Sequence, residues 1–181
     1  MDFKGWTLDS IRDEDASFSW MEILRFDWSP ITNHAMYQIL NGKTIVLIVD
    51  NERKWFEQYI LSTINKRNSE RPIIPIVSID SLYGSYDSIN GAHGIDIVED
   101  MLNISYGEEY FFWYIGRGDD KRCDIAKRSD GSYLWIMGET YQNSLPLLTY
   151  DKDLDIKLIQ LYRLFDKTLM ASLFGEVDVE E

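Results

Sequence analysis

One stretch of the sequence decides the fold: Thr44-Ile45-Val46-Leu47-Ile48-Val49, the longest aliphatic run in this chain of 181 residues. An unbroken, largely β-branched run of this length is typical of a strand covered on both faces, as in a parallel sheet. Asp50-Asn51 follows and can cap a helix over residues 52–66, where apolar residues recur at helical spacing. The stretch therefore predicts a buried strand followed by a helix that packs back onto the sheet.

The same alternation continues along the chain. Further buried strands are predicted at 72–79, 110–115 and 133–137, with a short fifth strand at 145–149. Helices are predicted at 95–106, 119–129 and 151–174, and a long loop at 80–94. Strands that alternate with helices indicate βαβ units. We therefore predict a three-layer α/β/α fold with a parallel, flavodoxin-like sheet of about five strands and a long C-terminal helix.

The first forty residues are helical in pattern. Residues 1–21 predict one amphipathic helix, inside an N-terminal helical segment that spans 1–28. Ser29-Pro30 is typical of the start of a second helix and Asn41-Gly42 of its end. Together with an acidic tail at 176–181, the whole chain 1–181 is expected to form one domain, because this length supports a single hydrophobic core.

The predicted C-terminal helix is too apolar for a single contact. One stripe contains Leu154, Leu158, Leu161, Phe165 and Leu169, and a second contains Ile159, Tyr162, Met170 and Leu173. A helix packed on one side of a sheet needs only one such stripe. Either the helix is wedged deeply inside its own domain, or it buries its second face against another subunit or partner. The many Trp and Tyr residues favour an interface, where aromatic residues are enriched.

The charge balance bears on the kind of partner. With 31 acidic and 18 basic residues, the chain has a formal net charge of −13. Binding to DNA or to an anionic membrane requires clustered Lys and Arg. The densest basic group, at 121–128, is interleaved with aspartates. We therefore expect no direct contact with nucleic acid or membrane, and any link to DNA should run through another protein.

Cysteine usage and hydropathy suggest the compartment. The single cysteine, Cys123, cannot form an internal disulfide and suits a reducing environment. No basic segment followed by an apolar stretch opens the chain, and the longest aliphatic run is far too short to span a bilayer. The expectation is a cytoplasmic protein.

Residue patterns typical of catalysis and metal binding are missing from the sequence. His34, His93 and Cys123 are not at ligand spacing, and no Ser lies in a nucleophile-elbow motif. The turn at Asp50–Arg53 carries two carboxylates and no glycine, which disfavours a bound phosphate at the usual site of such folds. The glycine-flanked loop at Gly91–Gly94 is the remaining candidate for a ligand. We predict no catalytic residues, no cofactor and no metal.

Several segments resemble the HobA family of DnaA-binding proteins, which are DiaA-like replication-initiation factors with the fold of sugar isomerase (SIS) domains. The resemblance covers about residues 37–175 and is carried by Lys54-Trp55-Phe56, Glu70-Arg71-Pro72, Tyr133-Leu134-Trp135 and the segment 154–165. It implies a non-enzymatic regulator of replication initiation. Such a protein is a homotetramer, built as a dimer of dimers, that binds the N-terminal domain of DnaA and promotes its ordered oligomerisation at the origin.

The resemblance also implies where DnaA would bind. In DiaA-like proteins an exposed apolar pair near the end of the last helix contacts DnaA, and the matching positions are Leu169 and Met170. Plain packing in a tetramer core is the alternative for this pair. Trp55 and Phe56, just past the Asp50–Arg53 turn, are secondary candidates, although Trp55 equally suits a core position. From charge alone, Asp50 and Glu52 are candidates to steer a basic patch on DnaA.

Two other functions remain open at this point. An SIS-type sugar-phosphate-binding protein or isomerase is the main alternative, although the turn after the first strand argues against it. An acidic structural or inhibitor protein with a different partner is the third class.

Overall fold

The computed structural model describes residues 1–66, 70–82, 89 and 91–181. Within these residues the strands are β1 (Thr44–Val49), β2 (Ile76–Ser78), β3 (Tyr110–Arg117), β4 (Tyr133–Met137) and β5 (Ser144–Leu147). The helices are α1 (Phe3–Arg12), α2 (Met21–Leu40), α3 (Lys54–Thr63), α4 (Ile79–Leu82), α5 (Gly91–Tyr106), α6 (Lys121–Lys127) and α7 (Leu154–Leu173). Short 3-10 turns at Ala16–Phe18 and Asn51–Arg53 precede α2 and α3.

The five strands form one parallel sheet in the order β2-β1-β3-β4-β5. This is the flavodoxin-like order, and it confirms the predicted fold class. The order reverses between β1 and β3, where Val49 pairs with Ile115 at the carboxyl ends of the two strands. In folds of this kind that reversal is where a ligand crevice opens.

Alternate residues of each strand face two separate cores. Ile45, Leu47 and Val49 of β1 belong to the core that α1, α2, α3 and α7 cover. Val46 and Ile48 belong to the opposite core, covered by α4, α5 and α6. This alternation explains why β1 is apolar at every position, since both of its faces are buried.

Aromatic residues dominate the first core. Trp28, Trp113 and Trp135 are fully buried, and the ring of Trp113 lies 4.5 Å from that of Phe165. The ring centroids of Trp28 and Trp135 are 5.7 Å apart. These three tryptophans therefore belong to the core of their own chain, and the expectation that they indicate an interface is wrong for them.

Helix α7 is wedged between the sheet and the N-terminal helices. Leu158, Leu161 and Phe165 are fully buried in the sheet-side core. On its other side, α7 contacts α1 and α2, and Gln160 accepts a hydrogen bond from Trp20 Nε1 at 3.0 Å. Packing within the chain thus accounts for most of both apolar stripes. Met170 is half-buried and remains accessible.

The largest correction concerns the second helix. The sequence predicts its start at Ser29-Pro30, but α2 begins at Met21 and has Pro30 in its interior. Met21 and Trp28 are fully buried, and their packing outweighs the hydrogen bond that Pro30 cannot donate. The N-terminal segment is therefore α1, a short turn and the first third of α2, rather than one helix over residues 1–21.

Smaller corrections affect the other boundaries. The predicted strand 72–79 is reduced to β2, because Ile79 already belongs to α4. The predicted loop 80–94 overlaps α4 and the first turn of α5, and its residues 83–88 and 90 lie outside the described residues. Helix α6, predicted over 119–129, is shorter and buries Cys123 and Ile125. The bounds of β4 agree with the prediction.

The acidic tail at 176–181 packs against the rest of the chain. Val177 is buried, and the Met1 amino group lies 3.3 Å from Asp178 Oδ2. The Asn33 side chain donates a hydrogen bond to the Glu180 carbonyl at 2.8 Å. The two ends of the chain therefore meet beside α2.

Candidate partner-binding surface

Asp50 lies at the carboxyl end of β1 and is almost fully buried. Its Oδ1 accepts hydrogen bonds from the backbone N–H and the Nε of Arg53, at 3.1 and 2.7 Å. Its Oδ2 accepts from Arg53 Nη2 at 2.5 Å and from the backbone N–H of Arg117 at 2.8 Å. The expectation that Asp50 presents a free charge to a partner is therefore wrong, because its charge is neutralised inside the chain.

The crevice at the reversal of strand order is filled by these side chains. A Cβ added at Gly116 would lie 2.6 Å from Tyr114 Oη and 2.8 Å from Asp50 Oδ2. Arg122 Nη1 closes the other side by donating to the Val49 carbonyl at 3.2 Å and to Asn51 Oδ1 at 2.7 Å. Asp50 thus occupies the position where a bound phosphate would be expected, so this site disfavours a sugar phosphate.

Glu52 and Trp55 are exposed at the start of α3. The Glu52 carboxylate lies 2.9 Å from Arg53 Nη1 and is largely open to solvent. Trp55 is 39% exposed, and its ring centroid is 5.3 Å from that of Phe56. Phe56 is fully buried and packs on Trp135. Trp55 is therefore a surface residue supported by Phe56, and the burial of Phe56 does not suit the direct contact with DnaA for which it is a candidate.

The two candidate positions near the end of α7 also differ in their exposure to solvent. Leu169 is fully buried, whereas Met170 is half-buried. Consecutive helical residues are about 100° apart around the axis, and here Leu169 faces the core while Met170 lies at its edge. The expectation of an exposed Leu169–Met170 pair is wrong, and only Met170 can be reached from outside without rearrangement of the core.

A groove between α3 and α7 begins one helical turn beyond Trp55 and extends to Met170. It has a volume of about 640 Å³ and is lined in part by Tyr59, Thr63, Tyr162 and Met170. Thr63 Oγ1 donates to Tyr162 Oη at 2.9 Å, and the rings of Tyr59 and Tyr162 are 5.6 Å apart. Trp55 lies one helical turn before Tyr59 on the same side of α3. We call these five residues the α3–α7 surface.

The sequence did not identify Tyr59 and Tyr162 as part of this surface. Tyr162 belongs to an apolar stripe of the C-terminal helix, and Trp55, Tyr59 and Thr63 recur at a spacing of four residues on α3. That spacing was the available signal for a common face. Burial raises the pKa of Tyr162 to about 12, so this hydroxyl stays protonated at neutral pH.

The other candidates for chemistry are not brought together. His34 and His93 are exposed on α2 and α5, and Gly91–Gly94 forms the first turn of α5. Burial raises the pKa of the Cys123 thiol to about 12. In the described part of the chain, no group of three or more His, Cys, Asp or Glu residues could hold a metal ion. None of the helices described here is long and apolar enough to cross a membrane.

Fold and site define a flavodoxin-like α/β protein in which Asp50 occupies the crevice at the reversal of strand order and a groove opens between α3 and α7. Residues 1–179 match a family model described as HobA, DNA replication regulator. The chain therefore belongs to the HobA family of DNA replication regulators, which confirms the resemblance noted from the sequence.

Individual relatives agree with the family assignment. The DNA replication regulator protein HobA of Helicobacter pylori is 26% identical over 181 residues, covering 97% of each chain. The crystal structure of a HobA–DnaA (domain I–II) complex from H. pylori matches with a TM-score of 0.75 and 26% identity, over 98% of this chain and 99% of that one. The crystal structure of H. pylori HobA matches with a TM-score of 0.74 and 25% identity, covering 98% of each chain.

Proposed function

We propose that this chain binds the N-terminal domain of DnaA and regulates replication initiation without catalysis of its own. The main support is the H. pylori relative, which was crystallised with DnaA domains I–II and aligns with almost the whole chain. The filled crevice supports the same proposal, because Asp50 and Arg53 occupy the place where a small anionic substrate would bind. A protein partner therefore accounts better for this filled crevice than a sugar phosphate does.

The proposed mechanism is multivalent. A homotetramer built as a dimer of dimers would present several copies of one DnaA-binding surface. Tethering DnaA molecules to one particle raises their effective concentration for each other, without any new contact between them. Ordered oligomerisation of DnaA at the origin would follow. A strongly acidic chain suits this role, since DnaA would supply the contact with DNA.

The α3–α7 surface is the proposed place of contact. Trp55 and Met170 would touch DnaA, because both are accessible, Met170 lines the groove, and Trp55 lies one helical turn before Tyr59, which also lines it. Exposed Trp side chains beside a concave, partly aromatic surface are typical of residues that dominate binding energies. Phe56 and Leu169 would contribute indirectly, because they are buried in the core next to Trp55 and Met170 and hold these side chains in position. Glu52 would be an exposed neighbour of the contact.

Light scattering on a size-exclusion column tests the proposal. The chain is measured alone and mixed with domains I–II of its cognate DnaA. We expect the mass of a tetramer, which increases by the mass of several DnaA fragments on mixing. A particle of any size that elutes without DnaA would reject the proposed partner. A complex formed by a monomer would retain the partner but reject the multivalent mechanism.

A further inference from the structure

The α3–α7 groove has the opposite charge to the rest of the molecule. Besides its aromatic wall, it is lined by Lys66, Arg71, Arg163 and Lys167, against only Glu70 and Asp166. Four positive and two negative side chains thus converge in a protein whose formal net charge is −13. Local charge of this kind determines which part of a partner is attracted, even when the whole molecule carries the other sign.

Three of these cations are unneutralised. In the part of the chain that the structure describes, Lys66, Arg163 and Lys167 are exposed and form no ion pair. Elsewhere on the surface, basic residues are commonly paired, as Arg117 is with Asp119 and Arg128 with Asp96. These three side chains can therefore pair with an external group, although Arg163 also lines a pocket with Glu14 and Asp15, and Lys167 lines one with acidic residues in and directly after α1.

Arg71 lies buried at the bottom of the groove, and only part of its guanidinium group is hydrogen-bonded. Its side chain is 3% exposed, and Nη2 donates to the Ile64 carbonyl at 2.5 Å. Asp166 Oδ1 lies 2.6 Å from the same Nη2 but makes no hydrogen bond, and Arg71 Nε and Nη1 have no hydrogen-bond partner. Asp166 thus compensates the charge of Arg71, while two buried N–H donor groups of Arg71 are left without a partner in the chain.

We propose that the α3–α7 groove receives a carboxylate-bearing segment of the DnaA N-terminal domain, with Lys66, Arg163 and Lys167 as the cationic contacts. The inference rests on the proposed function and specifies the chemistry of its interface. The aromatic and thioether lining from Tyr59 and Met170 fits a peptide rather than a free anion. Duplex DNA is disfavoured, because its binding needs many phosphate contacts from clustered Lys and Arg, whereas this groove offers only three unpaired cations.

Charge reversal in the full-length chain tests this inference. Lys66→Glu and Lys167→Glu are compared with Lys152→Glu, a matched change at an exposed lysine about 20 Å from Lys167 along the axis of α7. Binding to domains I–II of the cognate DnaA is measured by calorimetry, and thermal unfolding verifies that each variant is folded. We expect each groove variant to bind about tenfold more weakly, or worse, while Lys152→Glu stays within about twofold.

The outcomes separate the inference from the proposed function. If the unaltered chain binds DnaA and both groove variants bind equally well, the acidic-segment inference is overturned and the proposed function stands. If the unaltered chain does not bind DnaA, both are overturned. Binding of a short DNA duplex that Lys167→Glu abolishes would also overturn the inference, in favour of a phosphate ligand. Restored binding of Lys167→Glu by an acid-to-lysine substitution on DnaA would identify the contacting carboxylate.

Discussion

At the scale of single residues, two neighbouring acidic residues at the carboxyl end of β1 differ in burial and in role. Asp50 accepts four hydrogen bonds while almost fully buried, whereas its neighbour Glu52 is largely exposed. The two carboxylates are indistinguishable in the sequence as candidates for steering a partner. Their burial assigns Asp50 to the closure of the crevice and leaves Glu52 on the surface.

This difference predicts unequal costs of substitution. Asp50→Ala would leave the Arg53 guanidinium buried without its main partner, so we expect the free energy of unfolding to fall by about 3 to 5 kcal/mol. Glu52→Ala should change it by less than about 0.5 kcal/mol, because an exposed pair contributes little. Urea unfolding of both variants measures this. Equal, small losses would mean that the Asp50 network does not hold the crevice closed.

The accessible and the buried member of each adjacent pair should likewise differ in whether its substitution affects DnaA binding or stability. Trp55→Ala and Met170→Ala should weaken DnaA binding by about 1 to 4 kcal/mol with little loss of stability, because both side chains are accessible. Phe56→Ala and Leu169→Ala should instead lower the free energy of unfolding by about 2 to 5 kcal/mol, because both are fully buried. Calorimetry and urea unfolding of all four variants distinguish the two effects. Unchanged binding by Trp55→Ala and Met170→Ala would place the DnaA contact elsewhere.

Buried titratable groups predict loss of stability at alkaline pH. Burial raises the pKa of Cys123 and of Tyr162 to about 12, from ordinary values of 9.0 and 10.0. The folded chain therefore keeps protons that the unfolded chain releases, and stability falls as pH rises from about 9 towards 12. We expect a loss of about 3 to 4 kcal/mol between about pH 9 and pH 11 in urea unfolding. Cys123→Ala should remove the part of this loss that begins near pH 9, and an unchanged profile would contradict the assignment.

At the scale of elements, α2 shows how packing overrides a local helix-start signal. Pro30 is exposed in the interior of this helix of 20 residues and cannot donate to the Phe26 carbonyl. The helix nevertheless extends back to Met21, because Met21 and Trp28 fill the aromatic core. The burial of two large side chains, each contributing about 1.5 to 3 kcal/mol, compensates for the interruption.

An alanine at position 30 tests this explanation. Pro30→Ala restores the backbone donor without changing any buried side chain, so we expect the free energy of unfolding to rise by about 1 to 2 kcal/mol. Thermal unfolding measures the change, and Pro146→Ala on the edge strand β5 provides a matched loss of proline. A lower stability of Pro30→Ala would show that the interruption itself is needed to direct the first half of α2 onto the core.

Helices α3 and α7 show that a shared surface is a property of two elements together. Neither helix alone forms a groove, and the residues that line it are separated by about a hundred positions in the chain. Thr63 and Tyr162, joined at 2.9 Å, fix the distance between the helices. Because the two helices lie side by side, Trp55 and Met170 belong to one surface although they are far apart in the sequence.

At the scale of the whole molecule, the proposed scaffold predicts a characteristic dependence on concentration. A multivalent particle promotes assembly only while several DnaA molecules share it. We therefore expect DnaA oligomers on origin DNA to increase and then decrease as this chain is added, because excess scaffold distributes DnaA over separate particles. Cross-linking across a titration measures this. A steady rise to a plateau would contradict tethering and favour an effect on each DnaA molecule alone.

The sequence by itself determined the fold class, because a fully apolar strand, regular alternation and helix-capping residues are local signals that packing reinforces. It also identified the family, and it predicted β4 to the residue. It misplaced the start of α2, since Ser29-Pro30 is a strong local signal and the opposing burial of Met21 and Trp28 is tertiary.

Only the tertiary structure decided which candidate residues are accessible. Neighbours such as Leu169 and Met170, or Trp55 and Phe56, are chemically alike in the sequence but differ in burial, because they lie about 100° apart around a helix axis. Likewise, the carboxylate of Asp50 is neutralised by Arg53 and by the backbone of Arg117, which lies 67 positions further along the chain. Exposure and charge pairing depend on what covers a residue, and that is determined by distant parts of the chain.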